Sequence, residues 1–267
     1  MNIAERTLEL KTDFDNIYKA GKEEGAQAQY DEFWDGFQNV VNGVPQRTSY
    51  KYAFYQWRHR NIYPKYTVKP DNSKESAITV DGIFESCNNL TSISNVDFSN
   101  YTPKTTANTG SWASIFSSCS ALIECPDLNM KAGGYYNTWR HCSKLQRIEI
   151  MRCCEEGMYN GPFHNCTSLT DITIEGVIGN SFPIPNSPLN PTSLKSIIFH
   201  LKNYNGDATK EHKNTVTFKS SAFEALEAVG ITEEDKNKLV EIGLEYSKDL
   251  TWAQIIDNLK WNLTLAA

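Results

Sequence analysis

One pattern, recurring at a short and nearly constant interval, restricts the fold of this chain more than any other feature. Ile83–Val96 reads IFESCNNLTSISNV, Ile115–Leu128 reads IFSSCSALIECPDL, Thr138–Met151 reads TWRHCSKLQRIEIM and Pro162–Glu175 reads PFHNCTSLTDITIE. Each copy runs aromatic, two variable residues, cysteine, two variable residues, leucine, two variable residues, then an apolar residue. A degenerate fifth copy, NPTSLKSIIFHL, extends from Asn190 to Leu201. The five leucines are Leu90, Leu122, Leu145, Leu169 and Leu194, spaced by 32, 23, 24 and 25 residues. The long first interval points to an insertion, the polar stretch from Asn100 to Ser111.

A period of about 20–29 residues with a Leu-x-x-Ile-x-Ile core is the mark of a leucine-rich-repeat solenoid. The physical reason is direct. The end of each copy alternates with period two, so Leu169, Ile172 and Ile174 can share one inward face. One such strand cannot bury that face alone, but stacked copies bury a continuous core and pair their strands in parallel. The aromatic and the cysteine ahead of each strand would fill the turn of each coil. The fold class expected is therefore an α/β repeat, a leucine-rich-repeat solenoid with a parallel β-sheet, an N-terminal helix and a helical C-terminal cap.

The flanks divide the chain into four parts: a helix at 1–29, an aromatic-rich cap at 30–75, the repeats at 76–215 and a helical cap at 216–267. Ile3, Leu10 and Ile17 step by seven, which suits two to three heptads, a short coiled coil at best. Such a helix is marginal alone, so it needs docking on its own domain or oligomerisation, a trimer for instance. Tyr30 to Pro70 is dense in aromatics, among them Phe33, Trp34, Phe37, Tyr50 and Trp57. Residues 1–40 hold nine acids and four bases, whereas 41–70 hold six bases and no acid. That basic segment either packs beside the acidic helix or offers a docking surface for an acidic partner. In the tail, Thr232 with Asp235 and Thr251 before WAQIIDNL have the form of helix N-caps, and WNLTL reads as a last short strand.

The F-x-x-C-x-x-L-x-x-I-x-I units resemble the BspA-like leucine-rich repeats of bacterial and protist surface proteins. The flanking KAGKEEG, FWDGFQ and RTSYKYAF resemble those of leucine-rich-repeat proteins encoded in phages and prophages of gut Firmicutes. That resemblance implies a tail- or virion-associated protein, reached after cytoplasmic synthesis, that takes part in host-surface recognition or tail assembly. It implies no catalytic motif. The other readings are a bacterial cell-surface adhesin and a hydrolase acting on cell-surface glycan.

Composition excludes little but agrees with this. Forty per cent apolar and 22% charged residues suit a globular chain, and a net charge of −6 argues against nucleic acid as the main partner. No apolar run is long enough to span a bilayer, and no basic-then-apolar leader opens the sequence. Cys87, Cys119, Cys142 and Cys166 each stand three residues before a repeat leucine, so the repeat sets their spacing, and no zinc rule does. Small buried thiols are the expectation for them, with Cys153–Cys154 off the repeat as one buried and one exposed thiol. His141 and His164 precede their cysteines by one and two residues, an offset that suits no fixed metal geometry. Walker, dinucleotide, zincin and nucleophile-elbow motifs are missing. A non-enzymatic binding protein without cofactor is thus expected, its ligand a protein or a cell-surface glycan, its N-terminal segment meeting other virion or tail proteins. The binding residues expected are those that the strands turn outward, Arg147, Glu149, Asp171 and Thr173, with Ser92, Ser94, Ser196, Ile198 and His200 in the same column. Tyr135 and Tyr136 of the loop GGYYNTW join them.

Overall fold

The computed structural model describes Pro70 and residues 79–103, 112–245 and 250–267. The expected N-terminal helix and most of the aromatic-rich cap lie outside the described residues, as does most of the insertion. Within them the strands are β1 (Glu124–Cys125), β2 (Tyr135–Tyr136), β3 (Arg147–Cys153), β4 (Tyr159–Asn160), β5 (Asp171–Gly176), β6 (Phe182–Ile184), β7 (Thr215–Lys219) and β8 (Asn262–Ala266). The helices are α1 (Pro191–Phe199), α2 (Ser220–Val229), α3 (Glu233–Glu241) and α4 (Trp252–Asn258). The ladders are β1-β3-β5, β2-β4 and β6-β7-β8, every pairing parallel.

The register of the first ladder follows the sequence alignment. Glu124 pairs with Arg147 and Arg147 with Asp171, and Cys125, Ile148 and Ile172 form the next row. These are the intervals that separate Leu122, Leu145 and Leu169. Inside this ladder, the three leucines, Ile148, Ile172 and Ile174 are all buried. Copy four alternates with period two, but β3 does not. Ile148 pairs with Ile172 while Met151 pairs with Ile174, so Glu149 and Ile150 together oppose Thr173 in a β-bulge. The bulge lets Met151 and Cys153 turn inward after a three-residue step.

The turn ahead of each strand stacks as closely as the strands do. The residue just before each repeat cysteine is left-handed: Ser86 (φ 62°), Ser118 (63°), His141 (61°) and Asn165 (61°). So is the residue four places earlier: Gly82 (59°), Ser114 (52°), Asn137 (51°) and Gly161 (60°). These kinks aim alternate N–H groups at the next copy. Gly82, Phe84 and Ser86 donate to the carbonyls of Ala113, Ile115 and Ser117. Ser114, Phe116 and Ser118 donate to Tyr136, Thr138 and Arg140, and Asn137, Trp139 and His141 donate to Asn160, Pro162 and His164. Each junction carries the same three rungs. Left-handed geometry costs a non-glycine residue about 1–2 kcal/mol, so the rungs and the packing below them must hold it.

That packing is a column of rings and thiols. Phe84 stacks on Phe116 at 5.6 Å, and Trp139 on Phe163 at 5.6 Å and nearly parallel. A second column, Tyr135–Tyr159–Phe182, runs beside it at 6.4 and 5.2 Å. Beside the first column, Cys119, Cys142 and Cys166 donate their S–H to the carbonyls of Phe84, Phe116 and Trp139, at 3.1, 3.0 and 3.0 Å. Each thiol thus ties its copy to the aromatic residue of the copy before. Among the described residues the buried Trp139 indole N–H has no close hydrogen-bond partner, the Cys125 thiol being the group it acts on, and its ring is held between Tyr135 and Phe163.

The expected fifth copy is not a strand. Asn190 caps a helix, accepting from Ser193 N, and Pro191 stands at N1 where no N–H is needed. The resulting α1 lies along β5 and closes its open edge with side chains. Ser193 Oγ accepts from Ile172 N and Ser196 Oγ from Ile174 N, both at 2.9 Å. Asn186 does the same for the turn, its Oδ1 accepting from Asn165 N at 3.2 Å. Ile198 is buried on the helix, not outward on a strand. Ser196 and His200 are likewise removed from the expected outward column, because helical spacing aims them differently.

Beyond α1 the chain returns to strands. β7 pairs with β6 and β8 with β7, while α2 packs against β7, β8 and α1, and α4 packs against β8. Thr232 with Asp235 and Thr251 with Gln254 form capping boxes on α3 and α4. Lys195 of α1 reaches Asp235 of α3 at 2.6 Å and lies over the Trp252 ring of α4, tying the three helices together. Burial pushes the Asp235 carboxyl up, but Lys195 and the Thr232 bonds outweigh it and hold it below the usual range.

Candidate functional site

The outward face of β1-β3-β5 brings together Arg147, Glu149, Asp171 and Thr173 from adjacent strands. Arg147 and Asp171 are register partners, with Glu124 beyond, so a row of alternating charge crosses three copies. Asp171 is held from below by α1, its Oδ1 accepting from Asn190 Nδ2 at 2.7 Å. The Arg147 guanidinium makes no hydrogen bond or ion pair among the described residues. Glu149 sits on the bulge and accepts from Asp127 N at 3.2 Å, which ties β3 to the copy before it.

A second row on this face was not foreseen. Arg152 grips Asp127 with two bonds of 2.7 Å and reaches Glu175 with Nε at 3.0 Å. The hydrogen bond from Arg152 holds the Asp127 carboxyl below the usual carboxylate range, and the same bond pushes the Arg152 guanidinium up. This row is locked, whereas the Glu124–Arg147–Asp171 row leaves its cation open. The pairing depends on residues 25 and 23 positions apart meeting side by side, which only the lateral register discloses.

Tyr135 is a correction. It was expected on the surface, but it is 0% exposed, stacked on Trp139 and Tyr159, with its hydroxyl donating to Arg152 O at 3.1 Å. The strand alternation of β2 sends Tyr135 inward and Tyr136 outward, and Tyr136 is 39% exposed. Tyr136 belongs to the β2-β4 ladder and so does not join the row around Arg147. Ser92 is half-buried and Ser94 exposed, in a first copy to which no named strand is assigned.

The groups able to do chemistry are mostly withdrawn. Cys119 and Cys142 are fully buried, and burial pushes their thiols well up. Burial likewise raises Cys125, Cys153 and Cys166 to about 12. They are thiols at neutral pH, not thiolates, and all seven cysteines are free. Cys153 is buried and Cys154 half-buried.

His141 and His164 meet edge to face at 5.4 Å, one copy above the other. Arg140 Nε donates to His141 Nε2 at 3.1 Å, so the ring proton sits on Nδ1. The Asn165 side-chain amide faces that atom at 3.0 Å, and turning its oxygen inward satisfies both. Both ring nitrogens of His141 are therefore taken up. Burial, then the charges of Arg140 and His164, hold the His141 pKa below the usual histidine value. Among the described residues no group of three His, Cys, Asp or Glu side chains is placed to hold a metal ion. No helix among them is long and apolar enough to cross a membrane.

No family model matches the chain, and neither does any curated protein or solved structure.

Proposed function

We propose that this chain is a non-enzymatic leucine-rich-repeat binding protein, a solenoid of the BspA-like kind whose outward sheet face takes the ligand. The observation that carries the reading is the contrast between the two charged rows. Arg152 is neutralised by Asp127 and Glu175 and serves the fold, while Arg147 stands between Glu124 and Asp171 with its donors unused. A planar guanidinium left open on a rigid sheet is suited to carboxylate, amide or hydroxyl groups of a protein or glycan. The repeat thiols are buried under the turns, so none of them stands on this face as a nucleophile.

The setting we propose is a phage tail or virion, with residues 1–29 as the attachment segment and host-surface recognition or tail assembly as the task. This rests on the resemblance of the repeats and flanks. Mass spectrometry of purified virions from an induced prophage that encodes the chain tests it. Peptides of the chain at structural abundance are expected; their absence from virions overturns the setting.

A further inference from the structure

We propose that the chain pairs with a second copy of itself through β8, antiparallel and about a two-fold axis at Thr264. The two ends of the sheets are treated differently. The β5 edge is closed by α1, whose Ser193 and Ser196 hydroxyls accept its N–H groups. The β8 edge is the outer strand of β6-β7-β8 with nothing beside it among the described residues. It also lacks the usual guards of an exposed edge, since NLTLA has no charge, no proline and no bulge against β7.

The core row is unfinished on that side. Ile184, Phe218 and Leu265 are register partners, and so are Phe182, Val216 and Leu263. Ile184 and Phe218 are 0% exposed, but Leu265 is 45% exposed. What Leu265 lacks is an apolar neighbour beyond β8.

The backbone selects the occupant. Asn262 N donates to Asn214 O at 2.9 Å, so the main chain of Asn262 faces β7. By strand alternation Thr264 and Ala266 also face β7, and the N–H and C=O groups of Leu263 and Leu265 point outward. An antiparallel copy centred on Thr264 sets Leu263 opposite the partner's Leu265 and Thr264 opposite its own copy. Leu263 and Leu265 then form the hydrogen-bonded pairs, and Thr264 the non-bonded pair, which is the pattern their orientations require. A two-fold axis normal to the sheet keeps both core faces on one side. The partner's leucines thereby extend both core rows, and no like charges meet across the axis. The result is one six-stranded sheet, and the Arg147 face takes no part in it.

Sedimentation velocity of the full chain over a concentration series tests this, with circular dichroism as the check on folding. Wild type is expected at twice the chain mass of 30.2 kDa. Leu265→Pro removes an outward donor while sparing the bonds to β7, and should weaken the dimer at least about tenfold. Leu265→Lys, which restores an edge guard, should do the same and carries the test if the proline variant does not fold. Thr264→Cys should cross-link covalently on mild oxidation where wild type does not. A monomeric wild type, an oligomer that both Leu265 variants leave intact, or a dimer that the Thr264→Cys variant fails to cross-link overturns the proposal.

Discussion

At the scale of single residues, the left-handed position before each repeat cysteine decides what may stand there. Asparagine and histidine visit this region far more readily than β-branched residues do, and Asn165 and His141 occupy it. His141 is therefore explained by backbone geometry and by the bonds of both its ring nitrogens. Its lowered pKa also gives a sign for pH. The unfolded chain takes a proton on this ring near pH 6.5, while the folded ring, half-buried beside Arg140 and His164, resists it. Stability is unaffected above that pH and falls as pH drops from there through the folded value. His141→Asn should keep the turn and remove this share of the acid loss, as urea unfolding at pH 7 and pH 5 will read. Relative to His141→Asn, His141→Val should cost about 1–2 kcal/mol at both pH values, from backbone strain. The sequence disposed of this residue as a metal ligand by its offset from Cys142. The left-handed φ that accounts for it was not legible, because Ser86, Ser118 and His141 share no side-chain chemistry.

At the scale of elements, stacking distance is set where backbones meet. Gly176 has φ +85°, and a Cβ there would lie 2.1 Å from Cys153 O in the copy before. Gly176→Ala should cost about 3 kcal/mol or more. Gly206 has the same φ with nothing within 4 Å, so Gly206→Ala should cost only about 1 kcal/mol, from strain alone. The difference in denaturant midpoint between the two variants measures the stacking contact. At the other side of β5, Ser193→Ala leaves the buried Ile172 N–H without its acceptor and should cost about 1–3 kcal/mol in the same assay. That helix was misread from sequence as a fifth strand because Leu194 continued the leucine interval. The opposing signal was present: Asn190 followed by Pro191 is a helix start, and Leu194, Ile197 and Ile198 fall at helical spacing. The bulge in β3 was also visible in outline, since Ile148 to Met151 is a three-residue step. Local pattern reveals pitch well and the identity of the closing element poorly, because closure is selected by what the last strand exposes.

At the scale of the whole molecule, an internal column of rings and thiols holds the copies in register, and their strands carry two charged rows outward. The pitch of this arrangement was legible, since the leucine intervals and the strand register coincide. Four of the expected site residues share the face. Tyr135 was lost to the core by strand alternation, and Arg152, Asp127 and Glu175 were missed because lateral neighbours are distant in sequence. The claim that this face is the ligand surface is tested most directly by flow cytometry of the labelled chain on intact cells, across a panel of gut Firmicutes. Wild type should bind at least one strain, and the Arg147→Glu, Thr173→Arg double variant, with an unchanged melting temperature, should bind it at least about tenfold more weakly. Binding by that variant at wild-type strength would contradict the account.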